Sequence, residues 1–261
     1  MSWKKQLIAG IYKRRAFSSA SISFGSSSAV TEHHHINMLT KEAVKQIWRS
    51  ADAVCFDVDS TVIEDEAIDE MAEFCGVGEQ VAAWTKKAMG GSVSFREALQ
   101  ERLKIINATE KQVQDFVENN PPKFTKGIET LIKLLQRRGV PVYLVSGGFK
   151  QVILPAARLL KIPADRVFAN VLLFEDGKYA GFDKEQPTSE SGGKGRVISI
   201  LKKKYGYQKL VMIGDGATDM EACPPGDAFI GFGGNQIRQK VQLEAKWFVT
   251  DFNELISELS R

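Results

Sequence analysis

Histidine is missing from most of the chain, and cysteine is scarce. The three histidines are consecutive, at positions 33–35, and none follows in the remaining sequence. Their absence excludes a Ser-His-Asp triad, a histidine phosphatase and a histidine-ligated zinc site from the rest of the chain. Cys55, Cys75 and Cys223 are too far apart for a disulfide framework or a C-x-x-C metal site. No arginine stands six positions after any of them, which excludes a cysteine phosphatase.

Long apolar runs and a large excess of one charge are also missing. No stretch approaches the roughly 18 apolar residues of a membrane-spanning helix, so we expect no membrane association. The net charge of +3 comes from residues 1–31, which contain no acid and five bases, Lys4, Lys5, Lys13, Arg14 and Arg15. The remaining chain is slightly acidic and gives no indication of nucleic-acid binding. The sequence is compatible with a homodimer.

Residues 1–38 have the composition of a targeting leader. They are basic, rich in serine and nearly free of acids, as organelle transit peptides are. They lack the continuous apolar segment of about 7–15 residues that a secretory signal contains. We therefore predict an organelle location, a plastid (chloroplast) if the source is a plant, with the mitochondrion as the alternative. A plain disordered tail is the competing interpretation.

Short apolar runs alternate with helical patterns along most of the chain. The runs lie at 53–56, 140–145, 210–213, 228–230 and 247–249, and the helical patterns at about 39–50, 128–138, 151–161 and 196–205. Strands buried on both faces of a parallel sheet have this composition. The alternation predicts an α/β fold, a doubly wound parallel sheet with helices on both faces.

The segment after the first apolar run does not show this alternation. Between about residues 63 and 123 the pattern is helical throughout, which predicts an inserted helical cap, and Asn119 to Pro122 end it. The predicted domains are thus a leader at 1–38, a core at 39–62 and 124–261, and a cap at 63–123. Further on, Asp176-Gly177 predicts a small β-hairpin within 167–182.

Carboxylates follow the predicted strands. The first strand ends in Asp57-x-Asp59, and a later one in Gly214-Asp215-Gly216, with Asp219 shortly after. Because ligands bind outside the carboxyl ends of parallel strands, these acids should converge on one pocket. Clustered carboxylates with no nearby imidazole or thiolate favour Mg²⁺. We predict Asp57, Asp215 and the main-chain carbonyl of Asp59 as its ligands.

Groups suited to a phosphate accompany these acids. Ser146-Gly147-Gly148 follows another strand, and Lys194 lies in a glycine-rich loop that departs from a Walker A motif at both Thr188 and Gly195. With histidine and cysteine excluded, a carboxylate remains as nucleophile. We predict that Asp57 attacks phosphorus, Asp59 acts as acid and base, and Lys194 neutralises charge. Each motif alone is also compatible with a turn or a helix cap; their common place at strand ends favours the phosphatase.

Four strings carry a resemblance to a known family: DVDSTV at 57–62, SGGF at 146–149, QPTSESGGKG at 186–195 and GDGATDMEAC at 214–223. The sequence from about residue 51 onward resembles the phosphoserine phosphatases of the haloacid dehalogenase-like superfamily. The resemblance implies a Rossmann-like core and hydrolysis of O-phosphoserine, the last step of phosphorylated serine synthesis.

The resemblance also implies how a substrate is held. Glu66 would bind its ammonium group and Arg102 its carboxylate. Met89, Gly90 and Phe95 would line the pocket from the cap. Ser146, Gly147, Gly148, Lys194 and Thr218 would contact the substrate from the core, with Asp219 supporting Lys194 or the metal.

Two other functions stay open at this point. The same chemistry would serve a phosphatase or phosphotransferase for another small phosphorylated metabolite. A phosphate-binding or scaffold protein on a spent enzyme fold is the non-enzymatic alternative. The full set of Asp57, Asp59, Lys194 and Asp215 argues against it, because binding alone requires neither a nucleophile nor an acid.

Overall fold

A six-stranded parallel sheet forms the centre of the computed structural model, which describes residues 39–88 and 93–261. Its strands are ordered β3-β2-β1-β6-β7-β8, and β4 and β5 form a separate antiparallel pair. The strands are β1 (Ala53–Phe56), β2 (Val142–Phe149), β3 (Val167–Asn170), β4 (Leu172–Glu175), β5 (Lys178–Phe182), β6 (Leu210–Gly214), β7 (Ala228–Phe232) and β8 (Trp247–Val249).

Helices cover both faces of this sheet and fill the segment after β1. They are α1 (Lys41–Arg49), α2 (Ala67–Phe74), α3 (Gly78–Ala88), α4 (Phe95–Ile106), α5 (Glu110–Asn119), α6 (Ile128–Arg137), α7 (Lys150–Leu159), α8 (Gly193–Tyr205), α9 (Ala217–Met220), α10 (Gln239–Glu244) and α11 (Phe252–Leu259). Within the described ranges, no helix combines the length and the apolar character needed to cross a bilayer.

The side chains of β1 alternate between two apolar layers. Val54 and Phe56 pack into the layer that α1, α6, α7 and α11 cover, whereas Ala53 and Cys55 face the layer of α8. All four are fully buried, which explains why β1 is apolar throughout instead of alternating with polar residues. The predicted α/β fold with a parallel sheet is confirmed.

Four helices, α2 to α5, lie between β1 and α6. Capping boxes begin two of them: Ser94 pairs with Glu97 at α4, and Thr109 with Gln112 at α5. Their apolar side chains form one cluster that includes Phe149 from β2 together with residues of the hairpin. The division of the chain into a core and a separate cap domain stays a prediction.

The β4–β5 hairpin turns at Asp176 and Gly177, whose φ angles of 49° and 74° are those of a tight left-handed turn. Its Leu172 and Phe182 are buried against α2 to α5, which we call the cap helices. The segment just before it, Val167–Asn170, instead adds strand β3 to the edge of the main sheet. The sequence pattern did not distinguish β3 from the hairpin strands β4 and β5, because all of them contain short apolar runs.

The register of the central strands fixes where the site lies. Phe56 of β1 pairs with Leu144 of β2 on one side and with Ile213 of β6 on the other. The residues that follow each of these positions therefore emerge at the same edge of the sheet.

Candidate active site

Asp57 follows β1 directly and is held in place by its backbone. Its amide donates to the carbonyl oxygen of Ile213 on β6 at 2.9 Å, which extends the sheet by one residue. Its side chain is buried, and Oδ1 lies 2.8 Å from Lys194 Nζ and accepts from the Val58 amide at 2.8 Å. The carboxylate is therefore fixed before any substrate binds.

Lys194 joins the motifs that follow β1 and β6. It belongs to the first turn of α8 and is buried, with Nζ 2.8 Å from Asp57 and 2.6 Å from Asp219. Burial works to lower the pKa of Lys194, but Asp219 and Asp57 outweigh it and shift that pKa upward. The lysine therefore keeps its positive charge beside Asp57.

Asp215 and Asp219 extend this cluster from β6. Carboxylate oxygens of Asp57, Asp215 and Asp219 lie within 4.8 Å of one another. Burial, then the charge of Asp57, raises the pKa of both Asp215 and Asp219, although Arg238 and Lys194 oppose these shifts. Raised carboxyl pKa values at such spacing indicate a place where a further cation would be stabilising.

The donor set suits a hard cation. All candidate ligand atoms are oxygens, and Asp57 and Asp215 supply two of them. In the described part of the chain, the main-chain carbonyl of Asp59 accepts no hydrogen bond and is left for a ligand role. The cluster of three aspartates could hold a metal ion, whereas the carboxylate of Asp59 accepts hydrogen bonds from Ala67 and Ser146.

The side chain of Asp59 lies between β2 and the start of α2. Its Oδ1 accepts from the Ala67 amide at 2.9 Å, at the start of α2, and its Oδ2 accepts from Ser146 Oγ at 3.1 Å. Burial, then the charges of Asp57 and Glu66, raises the pKa of Asp59 to about 7. A carboxyl group with such a pKa can both give and take a proton near neutral pH.

The phosphate-binding candidates lie around Asp59. Ser146 Oγ also accepts from the Gly148 amide at 2.8 Å, and a Cβ at residue 148 would come within 2.9 Å of Asp59 Oδ2. Glycine at 148 thus permits the close approach between β2 and the acid. The sequence predicted these residues after the strand, but they form the last part of β2. Asn170 at the end of β3 links β2 to the segment that precedes α8: its Nδ2 donates to Gly147 O at 2.8 Å, and its Oδ1 accepts from Thr188 Oγ1 at 3.1 Å.

The side chains proposed for the cap reach the same space. Glu66, at the start of α2, accepts from Ser60 Oγ and from Arg238, both at 2.9 Å. Arg102 on α4 donates only to the carbonyl of Ala98 within its own helix, at 3.4 Å, as far as the described residues show. Burial lowers the pKa of Arg102, against the attraction of nearby acids. Its fork is therefore available to an anion.

These groups surround one cavity of about 520 Å³. Its lining brings together nearly all the predicted site residues that the structure describes: Asp57, Asp59, Glu66, Phe95, Arg102, Gly147, Gly148, Lys194, Asp215 and Thr218. Ser146 and Asp219 lie directly behind this lining. Met89 and Gly90 lie outside the described residues.

Arg238 and Asn170 escaped the sequence analysis. Arg238 Nε donates to Asp215 Oδ2 at 2.6 Å, and the same guanidinium reaches Glu66. It follows β7, whose carboxyl end lies at the same edge of the sheet, so the strand-end rule could have found it. Asn170 offers no such signal, because a lone asparagine after an apolar run is an ordinary turn residue.

A family model for haloacid dehalogenase-like hydrolases matches residues 51–224. The human phosphoserine phosphatase is 56% identical over 223 residues, which cover 85% of this chain and 99% of the relative. The chain belongs to the phosphoserine phosphatase family of haloacid dehalogenase-like hydrolases. The chloroplastic phosphoserine phosphatase of Arabidopsis thaliana is 48% identical, with 87% of this chain and 78% of the relative covered.

Solved structures of the family have the same fold. A phospho-aspartyl intermediate analogue of phosphoserine phosphatase superposes with a TM-score of 0.68 and 30% identity over 79% of this chain and 98% of that one. A substrate-bound phosphoserine phosphatase complex gives a TM-score of 0.69 with 28% identity, over 79% and 97% of the two chains. Members of this family use a metal ion, and the aspartate cluster described above could bind one.

Proposed function

We propose that the chain hydrolyses O-phosphoserine to serine and inorganic phosphate, with Asp57 as the nucleophile, and so completes serine synthesis. The observation that carries this proposal is the ion pair of Asp57 with Lys194, buried in a cavity that also contains Asp59, Glu66 and Arg102. The relatives named for this activity add weight, since the similarity extends over most of the chain.

Substrate binding uses complementary charges. Glu66 takes the ammonium group and Arg102 the carboxylate of phosphoserine, the latter through a planar fork that matches two carboxylate oxygens. Ser146, Lys194 and the backbone of Gly147 and Gly148 hold the phosphoryl oxygens. A metabolite without the amino-acid carboxylate would leave Arg102 with no anionic partner among the described residues, which disfavours the alternative substrates.

The first chemical step forms an aspartyl-phosphate. An oxygen of Asp57 bonds to phosphorus, the bond from phosphorus to the serine oxygen breaks, and Asp59 gives its proton to that oxygen. Burial raises the pKa of Asp59 to about 7, so a substantial fraction of Asp59 holds the required proton at neutral pH. Lys194 stabilises the negative charge that gathers on the phosphoryl oxygens.

The second step releases phosphate. Asp59, now ionised, takes a proton from water as the water oxygen attacks phosphorus, and the bond to Asp57 breaks. Mg²⁺, held by Asp57, Asp215 and the carbonyl of Asp59, would neutralise phosphoryl charge when bound. The raised pKa values of Asp215 and Asp219 support a divalent ion at this place.

Phosphate release from a panel of metabolites tests the proposal. We expect phosphoserine to be hydrolysed well ahead of phosphoethanolamine, which lacks the carboxylate, and of glycerol phosphate, which lacks both groups. Activity should disappear with EDTA and return with Mg²⁺. Equal rates on all three esters would refute the substrate assignment, and transfer to added alcohols in place of water would identify a phosphotransferase.

For the location we propose targeting by residues 1–38 to an organelle, a plastid in a plant source. This proposal rests on the basic, serine-rich composition of that segment. A fluorescent protein fused behind residues 1–38 should collect in the organelle, whereas a fusion that stays in the cytosol would contradict the proposal.

A further inference from the structure

The first turn of α4 is fastened to the core by Arg96. Its Nη2 donates to Ser189 Oγ at 2.9 Å and to the carbonyl of Lys184 at 3.2 Å, and its Nε donates to the carbonyl of Ser189 at 3.4 Å. Nη2 also lies 3.1 Å from a carboxylate oxygen of Glu190. One guanidinium thus contacts three residues of the segment 184–190, which we call the core loop.

The core loop is well placed to receive this side chain. Ser189 is fully buried, and its hydroxyl passes a hydrogen bond on to the Lys184 carbonyl at 3.2 Å. Glu190 is shared with Arg196 on α8, the helix whose first turn carries Lys194. The contact therefore reaches from α4 to the helix that holds the catalytic lysine.

Phe95, the neighbour of Arg96, contacts the end of β2. A Cβ at Gly147 would come within 3.0 Å of the Phe95 ring, so that ring lies against the strand backbone. Arg102 stands two helical turns further along α4, with its side chain in the cavity. The position of the first turn of α4 therefore sets the distance between Arg102 and the acids of the core.

We propose that Arg96 is a positioning residue, which ties α4 to the core loop and thereby sets Arg102 for the carboxylate of the substrate. Only the planar fork of arginine reaches the two carbonyls, the hydroxyl and the carboxylate together. Arg96 and Glu190 remain 32% and 40% exposed. An ion pair so exposed contributes little to the stability of the fold, and it breaks at low cost when substrate enters or product leaves.

The first experiment requires no substrate. Trp84 lines the cavity, whereas Trp48 and Trp247 are buried, so Trp84 reports access to the cavity once Trp3 is replaced by Phe. In the Mg²⁺-loaded full chain, Arg96→Ala should raise acrylamide quenching of Trp84 about twofold. Lys104→Ala is the matched control, since that exposed lysine of α4 pairs, among the residues that the structure describes, only with Glu101 of the same helix.

The second experiment is kinetic, and it rests on the proposed function. Arg96→Ala should raise the KM for phosphoserine about tenfold with kcat changed less than threefold. The double variant Arg96→Ala/Arg102→Ala should be no worse than Arg102→Ala alone, because Arg96 acts through Arg102. Arg96→Lys keeps the charge but not the fork, so its KM should fall between those of the original chain and Arg96→Ala.

Several outcomes would overturn the proposal. Unchanged quenching in Arg96→Ala, or additive losses in the double variant, would show that Arg96 does not position Arg102. If Arg96→Ala unfolds, Arg96→Lys takes its place, and unchanged quenching there would count equally against the proposal, because lysine cannot make these contacts together. A chain inactive on phosphoserine would refute the proposed function, while the quenching experiment would still decide the role of Arg96.

Discussion

The two walls of the cavity differ in how their charges are compensated. On the core wall, formed by Asp57, Asp215, Asp219 and Lys194, each charged group has an opposite charge within 2.8 Å. On the cap wall, formed by Glu66, Phe95 and Arg102, Glu66 pairs with Arg238 at 2.9 Å, but no carboxylate of the described residues lies within ion-pair distance of Arg102. The groups assigned to chemistry are thus fixed in advance, whereas Arg102 awaits an anion.

Asp57→Asn should have the largest effect, because it removes the proposed nucleophile from the core wall. We expect turnover of phosphoserine to fall by about 10⁴-fold or more, while calorimetry still detects substrate binding through the cap wall. Glu129→Gln changes an exposed acid of α6 in the same way and should leave turnover intact. Substantial activity in Asp57→Asn would assign the nucleophile to another residue.

Lys194→Met should have the second-largest effect, since it breaks the ion pairs of Lys194 with Asp57 and Asp219. Loss of the charge beside the phosphoryl group should lower kcat by about 10³-fold. Two buried acids would lose their partner, so the free energy of unfolding should drop by about 3 kcal/mol in urea titrations. Adding Asp219→Asn should recover part of that stability but none of the activity.

The matched control for Lys194 is Lys202→Met. Lys202 also pairs with an aspartate, Asp227, but both side chains remain about one quarter exposed, away from the cavity. Its loss should leave kcat within about twofold and cost at most about 1 kcal/mol of stability. Equal effects of the two lysine variants would remove the distinction between the core wall and an ordinary ion pair.

Arg102→Ala tests the cap wall by itself. We expect kcat/KM for phosphoserine to fall by about 10²-fold, because the substrate carboxylate loses a charged hydrogen-bonding partner. Hydrolysis of phosphoethanolamine, which has no carboxylate, should change less than threefold. An equal loss on both esters would show that Arg102 supports the fold and does not select the substrate.

The smallest effect that we expect is a pH dependence of the stability of the metal-free protein. Asp59, Asp215 and Asp219 have raised pKa values when folded, so the unfolded chain releases these protons first as pH rises. Stability of the metal-free protein should therefore fall between about pH 5 and 7, by about 1.4 kcal/mol per pH unit for each proton retained. Thermal unfolding scans of the metal-free protein would measure this decline.

Two comparisons check the origin of that pH dependence. Asp59→Asn should make the decline shallower, since one titrating group is gone. Mg²⁺ should raise the unfolding temperature more at pH 8 than at pH 5, because it competes with protons for the same oxygens.

Sequence reasoning located the core wall well, and for a physical reason. Parallel strands end at one edge, so acids and glycines that follow apolar runs must converge, whatever the details of the loops. The structure brings Asp57, Lys194 and Asp215 together as that rule predicts. Their catalytic roles remain predictions.

The cap wall was beyond such reasoning. Glu66 and Arg102 lie on helices whose polar faces look like ordinary solvated surfaces, and only the family resemblance singled them out. Arg96 and Asn170 depend on contacts between segments far apart in the chain, with partners at Ser189 and Gly147. No local pattern encodes those contacts, so they required the folded structure.

The hairpin β4–β5 has a consequence for exchanging specificity between relatives. Its Leu172 and Phe182 are buried among the cap helices, although Leu172 follows residue 123 by 49 positions in the chain. If residues 63–123 alone were replaced by those of a relative, the relative's helices would pack against the native hairpin, whose side chains would not match them in volume. The transplantable recognition unit is thus discontinuous, and a chimaera must take the hairpin with the helices that it supports.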